Sequence, residues 1–77
     1  MTKAFVLINC ELGSEEHVIS ELKTFSDVKE VQGTFGAYDI IAEINVNTQA
    51  DFDETVSLKI RRLTRIVSTM TLNVISS

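Results

Sequence analysis

The chain has 77 residues with 11 acidic and seven basic side chains, giving a net charge of −4 and a pI near 4.8. That balance argues against sequence-independent nucleic-acid binding, which depends on lysine and arginine against phosphates, and the single cysteine excludes an intrachain disulfide. A domain this small buries only about 60 to 65% of its unfolded surface against a conformational entropy cost on the order of 100 kcal/mol, so an oligomer is expected.

The first element is the run KAFVLINC, residues 3 to 10, apolar and β-branched on both faces: Phe5 and Leu7 on one, Ala4, Val6 and Ile8 on the other. After Gly13 the period changes. Ser14 can cap a helix whose first turn carries Glu15 and Glu16, and Val18, Ile19, Leu22 and Phe25 share one helical face. VKEVQGTF, residues 28 to 35, alternates Val31, Gly33 and Phe35 against Glu30, Gln32 and Thr34. YDIIAEINV, residues 38 to 46, alternates Tyr38, Ile40, Ala42, Ile44 and Val46 against Asp39, Ile41, Glu43 and Asn45, so these two runs predict a hairpin.

A second helix is expected after Thr48 or Asp51, with Phe52, Val56, Ile60 and Leu63 in one stripe, ending near Thr64. In the last strand, residues 66 to 75, alternation assigns Ile66, Met70, Leu72 and Val74 to the helix side and Val67, Thr69, Thr71, Asn73 and Ile75 away from it. The order βαββαβ is that of the α+β, ferredoxin-like split βαβ arrangement, two helices on one face of a four-stranded antiparallel sheet. Only one face of that sheet is covered, yet the first strand is apolar on both of its faces and Ile41 and Val67 add apolar groups to the uncovered side, so a second copy of the chain is the simplest cover.

Catalytic chemistry has little to work with. His17 is expected on the exposed side of the first helix, and Cys10 lies beside Glu11, whose carboxylate would raise the thiol pKa, the wrong direction for a nucleophile. No spacing suits a metal, no phosphate-binding loop is followed by a helix, and no RNA-platform signature is present. Neither a catalytic residue, a metal ligand nor a cofactor is therefore predicted. Lys59, Arg61, Arg62 and Arg65 read either as a local basic patch or as the solvated cationic end of the second helix. The lone cysteine, with no secretory signal and no apolar run of membrane-spanning length, points to a reduced, cytoplasmic compartment.

The stretch GTFGAYDII, residues 33 to 41, is at least a turn, because Gly36 can take positive φ and Asp39 can accept from nearby backbone N–H groups. VKEVQGTFGAYDIIAEINV resembles the amino-acid-sensing RAM domain of the leucine-responsive regulator and AsnC family, with its G-x-Y-D turn between strands. KIRRLTRIVSTMTLNVI is similar to that family's last helix and strand, with its T-x-T element as Thr69-Met70-Thr71, so the resemblance covers residues 3 to 75.

The resemblance implies a dimer of the α/β-barrel type, dimers joined into larger homo-oligomers, and an amino acid or related metabolite bound between dimers. Carried onto this chain, the effector site comprises Gly36, Ala37, Tyr38 and Asp39 with Thr69 and Thr71. Turn N–H groups can hold a carboxylate and Asp39 an ammonium, although Tyr38 can equally turn into the core and Asp39 can brace the turn. The chain resembles stand-alone members, a single domain over residues 1–77 with no helix-turn-helix, which would act on transcription only through full-length partners. A purely structural oligomerisation module is the alternative, and a small dimeric ferredoxin-like enzyme a third. Where relatives often place glycine or proline between the second helix and last strand, this chain has LTRIV.

Overall fold

A computed structural model describes residues 2–73, and Val74 and Ile75 of the expected last strand lie outside them. The elements are β1 (Thr2–Cys10), α1 (Glu15–Leu22), β2 (Val28–Gly33), β3 (Ile40–Val46), α2 (Gln49–Glu54) running into a π-helical segment (Thr55–Ile60), and β4 (Ile66–Asn73). All neighbours in the sheet are antiparallel, in the order β2-β3-β1-β4. This is the ferredoxin-like βαββαβ arrangement that the hydrophobic periods predict.

Alternation along β1 and β3 builds the covered side of the sheet. Ala4, Val6 and Ile8 pair in register with Ile44, Ala42 and Ile40, and all six are buried against Val18 and Leu22 of α1, Phe52 of α2, and Val56 and Ile60 of the π-helical segment. The helical stripe is therefore as expected, with Leu63 and Phe25 packed at its margin.

The helices end and widen differently from the sequence expectation. Beyond Leu22 the chain tightens into three-residue turns, Thr24 N–H donating to Glu21 O and Phe25 N–H to Leu22 O, both at 3.1 Å, so Phe25 packs from outside the helix. Ser14 is buried but makes no side-chain cap; Thr48 does cap α2, its Oγ1 accepting from Asp51 N–H at 3.1 Å. Past Glu54 the helix widens, and Arg61 N–H reaches back five residues to Val56 O at 2.9 Å.

Two strand assignments need correction. Strand β2 stops at Gly33 and β3 begins at Ile40, so Phe35 and Tyr38 lie in a six-residue connection and Phe35 stands clear of the protein, 107% exposed. In β4 the expected faces are inverted after Ile66. A bulge separates the pairs Cys10↔Ile66 and Asn9↔Ser68, leaving Val67 as the extra residue, and one extra residue switches every following side chain to the other face. Thr69 and Thr71 consequently share the covered side with their partners Ile8 and Val6, whereas Met70 and Leu72 join Leu7 and Phe5 on the open side, 47% and 49% exposed.

Candidate ligand-binding site

The G-x-Y-D connection spans residues 34–39 and is closed at its base by Thr34. Its N–H donates to Asp39 O at 2.8 Å and its Oγ1 donates to Tyr38 O at 2.6 Å. Gly36 occupies φ 139°, a backbone region that side chains oppose, and Gly36 and Ala37 form the exposed tip. With four residues, Phe35 to Tyr38, between Thr34 and Asp39, the loop is wider than a two-residue hairpin link.

Asp39 is tied to β1 at two points. Its N–H donates to Ile8 O at 3.0 Å, and its Oδ2 accepts the Cys10 N–H at 3.0 Å. The next amide, Glu11 N–H, donates to Arg65 O at 2.8 Å, joining the end of β1 to the entry of β4. Arg65 holds φ 74°, a left-handed conformation costly for a residue with a Cβ. Asp39 Oδ1 takes no hydrogen bond among the described residues.

Tyr38 does not turn into the core. Its hydroxyl donates to Met70 Sδ at 3.6 Å, across β1 and on the open side of the sheet. Thr69 and Thr71 are half-buried and lie toward the opposite side. Within one chain, then, the turn and the T-x-T element flank β1 without converging on a single pocket.

The remaining candidates carry no catalytic geometry. Burial, followed by the charges of Asp39 and Glu15, pushes the Cys10 thiol upward. The direction matches expectation, but the carboxylates responsible differ from Glu11. His17 pairs with Glu21 one turn along the exposed side of α1. Among the described residues no group of three potential metal ligands comes together, and no helix is long and apolar enough to cross a membrane.

The structure also shows two clusters that sequence periodicity does not reveal. At the opposite end of the sheet from Asp39, Asp27 Oδ2 lies 2.8 Å from Thr55 Oγ1 and 3.1 Å from Lys59 Nζ, beside a cavity of about 240 Å³ lined also by Asp51 and Glu54. Those donors, Thr55 first and Lys59 second, hold the Asp27 carboxyl below its ordinary range. On the open face, the Glu43 carboxylate accepts from Asn45 Nδ2 at 3.0 Å and lies 3.8 Å from Lys3 and 3.9 Å from Lys29. Asp27 comes from a turn 28 residues before Thr55, so no spacing in the sequence points to the first cluster.

The model of the Lrp/AsnC ligand binding domain matches residues 3–77. The chain is similar to FFRP-DM1, with 33% identity and a TM-score of 0.94 over 97% of this chain and 100% of that one. A hypothetical protein from Pyrococcus horikoshii shares 32% identity, with a TM-score of 0.93 over 100% and 93% of the two chains. Escherichia coli AsnC has the same fold at 22% identity, with a TM-score of 0.93 over 99% of this chain but 52% of its own length. A transcriptional regulator of Neisseria meningitidis, solved as a complex with L-Met, has it at 12% identity, with a TM-score of 0.89 over 97% and 50%. No curated protein matches the sequence.

Proposed function

The chain belongs to the Lrp/AsnC ligand-binding domain family, and from that premise we propose that it binds an amino acid or related small metabolite as an oligomer. It modulates transcription through partner regulators of the same family and works in the cytoplasm. The observation that carries this reading is Asp39: a carboxylate fixed at the end of β1 by one oxygen and open at the other. A fixed acceptor beside a glycine turn suits an ammonium group, which forms charge-assisted hydrogen bonds without requiring the loop to reorganise. The L-Met bound to the Neisseria regulator gives the class of molecule to try first. Gly36, Ala37 and Tyr38 form the rest of the turn side of the site, and Thr69 and Thr71 supply hydroxyls where a neighbouring subunit adjoins.

The dimer in this reading forms through the open face of the sheet. Phe5, Leu7 and Ile41 are only half-buried there, next to the exposed Met70 and Leu72. Such an apolar stripe rimmed by Lys3, Lys29 and Glu43 is what a second copy would cover. Dimers then meet through their turns.

A structural module without a ligand is favoured by one contact, the Asp39 bond to Cys10 N–H, which braces the fold with no ligand present. A thermal-shift screen of the twenty amino acids at millimolar concentration separates the two. Binding raises the melting temperature by mass action, so at least one amino acid is expected to shift the native chain and fail to shift Asp39→Asn, with the oligomer retained. No shift with any amino acid, and collapse of the assembly in Asp39→Asn, would establish the structural role instead.

A further inference from the structure

The T-x-T strand offers hydroxyls but no charge of its own, which leaves the carboxylate of an amino acid without a cationic partner on that side. We propose that Arg61, with the Thr69 hydroxyl and the main chain of Ser68, forms an anion subsite that takes the effector's carboxylate; the proposal rests on the ligand-binding reading above.

Arg61 is placed by the π-helical widening. Its N–H closes the last wide turn onto Val56 O at 2.9 Å, and a wide turn rotates the residues that follow it relative to a continuous α-helix. Ile60 ends buried and Arg61 lines a cleft of about 350 Å³ along the start of β4, formed otherwise by Ile66, Val67, Ser68 and Thr69. Its polar residues are Arg61, Ser68 and Thr69, with no acidic residue among its lining. The Thr69 side chain lies on the covered side with Arg61, whereas Ser68 pairs with Asn9 and its Oγ accepts from Asn9 Nδ2 at 3.4 Å, so Ser68 borders the cleft through its main chain. Because β4 is an edge strand, its outer main-chain groups are free to add donors there.

The charge balance favours an anion. Among the described residues Arg61, like Lys23, Arg62 and Arg65, has no ion-pair partner, whereas Lys3, Lys29 and Lys59 each have one; of the four, only Arg61 lines this cleft. Arg61 also borders a second cleft of about 300 Å³ with Ser57 and Thr71, but Asp53 lines that one and disfavours a second negative group. The fork of a guanidinium matches a carboxylate through two parallel bonds, a geometry that lysine cannot reproduce. The first cleft lies at the same end of the sheet as Asp39, since its Ile66 is the register partner of Cys10, whose N–H holds Asp39.

The test titrates the full chain with acetate and, separately, with the uncharged isostere acetamide, following backbone amide and arginine side-chain N–H signals by NMR. Acetate is expected to shift the signals of Arg61, Ser68 and Thr69 saturably, acetamide to leave them in place, and Arg61→Gln to weaken the acetate response at least tenfold with an otherwise unchanged spectrum. Arg61→Lys should fall between the two. Equal responses to acetate and acetamide, shifts spread evenly over Arg61, Arg62 and Arg65, or an undiminished response in Arg61→Gln would overturn the subsite. A saturable acetate response in a chain that no amino acid stabilises would uphold the anion subsite while removing the amino-acid reading, so the two fail separately.

Discussion

The two faces of the sheet draw on the same strands and reach opposite ends. On the covered face Ala4, Val6, Ile8, Ile40, Ala42 and Ile44 lose all contact with solvent. On the open face their neighbours Phe5, Leu7 and Ile41 remain half-buried, and Met70 and Leu72 keep about half of their surface in water. The covered face holds the chain's own core, built from residues that alternate strictly with those of the other. The open face is apolar without being a core, and its charges are placed at the β2 and β3 side, around Glu43. A single chain thus finishes one face and leaves the other apolar and open to solvent.

Perturbing the covered face should cost most. Ile44→Ala removes a buried side chain from the middle of β3 and is expected to lower the unfolding free energy by about 2–5 kcal/mol, read from urea denaturation; a loss no larger than that of an open-face truncation would erase the distinction between the faces.

Next comes acid. The Asp27 carboxyl is held below its ordinary range in the folded chain, so its charged form favours folding. That contribution is complete above the unfolded aspartate pKa of about 4, and it is lost as pH falls through the lower, folded value. Denaturation followed with pH should show stability declining across that window, and Asp27→Asn should flatten the decline. Asp27 joins the helical layer through Thr55 and Lys59, so the effect belongs to the covered side.

Leu72→Lys should alter the chain's own stability least, within about 0.5 kcal/mol, yet split the assembly. Light scattering is expected to give the 8.6 kDa chain in place of a dimer. Retention of the dimer would shift the interface away from the open face.

Much of this architecture was legible in the sequence because two periods carry it. Strict alternation in IIAEINV and the stripe Phe52, Val56, Ile60 and Leu63 each report burial directly. The turn was legible too, as Gly36 followed by Asp39, although not its width: Thr34 bonds across to Tyr38 O and Asp39 O and excludes Phe35 and Tyr38 from the ladder. Strand β4 was misread for a definite reason. Alternation states which residues share a face only until the backbone gains a residue, and Val67 is that residue. Nothing in a side chain announces a bulge, and the left-handed Arg65 before it occupies a conformation for which arginine gives no signal. Asp27, Thr55 and Lys59 were hidden because their contact joins a loop to a helix across 28 and 32 residues.

The contact between Tyr38 and Met70 makes the chain its own optical reporter. Tyr38 is the sole tyrosine and there is no tryptophan, so ultraviolet emission comes essentially from one ring. That ring leaves the G-x-Y-D turn and rests against the open face. A molecule seated at the turn and a second copy docked on the sheet would each change its surroundings, and a label-free titration at two protein concentrations would tell the two events apart.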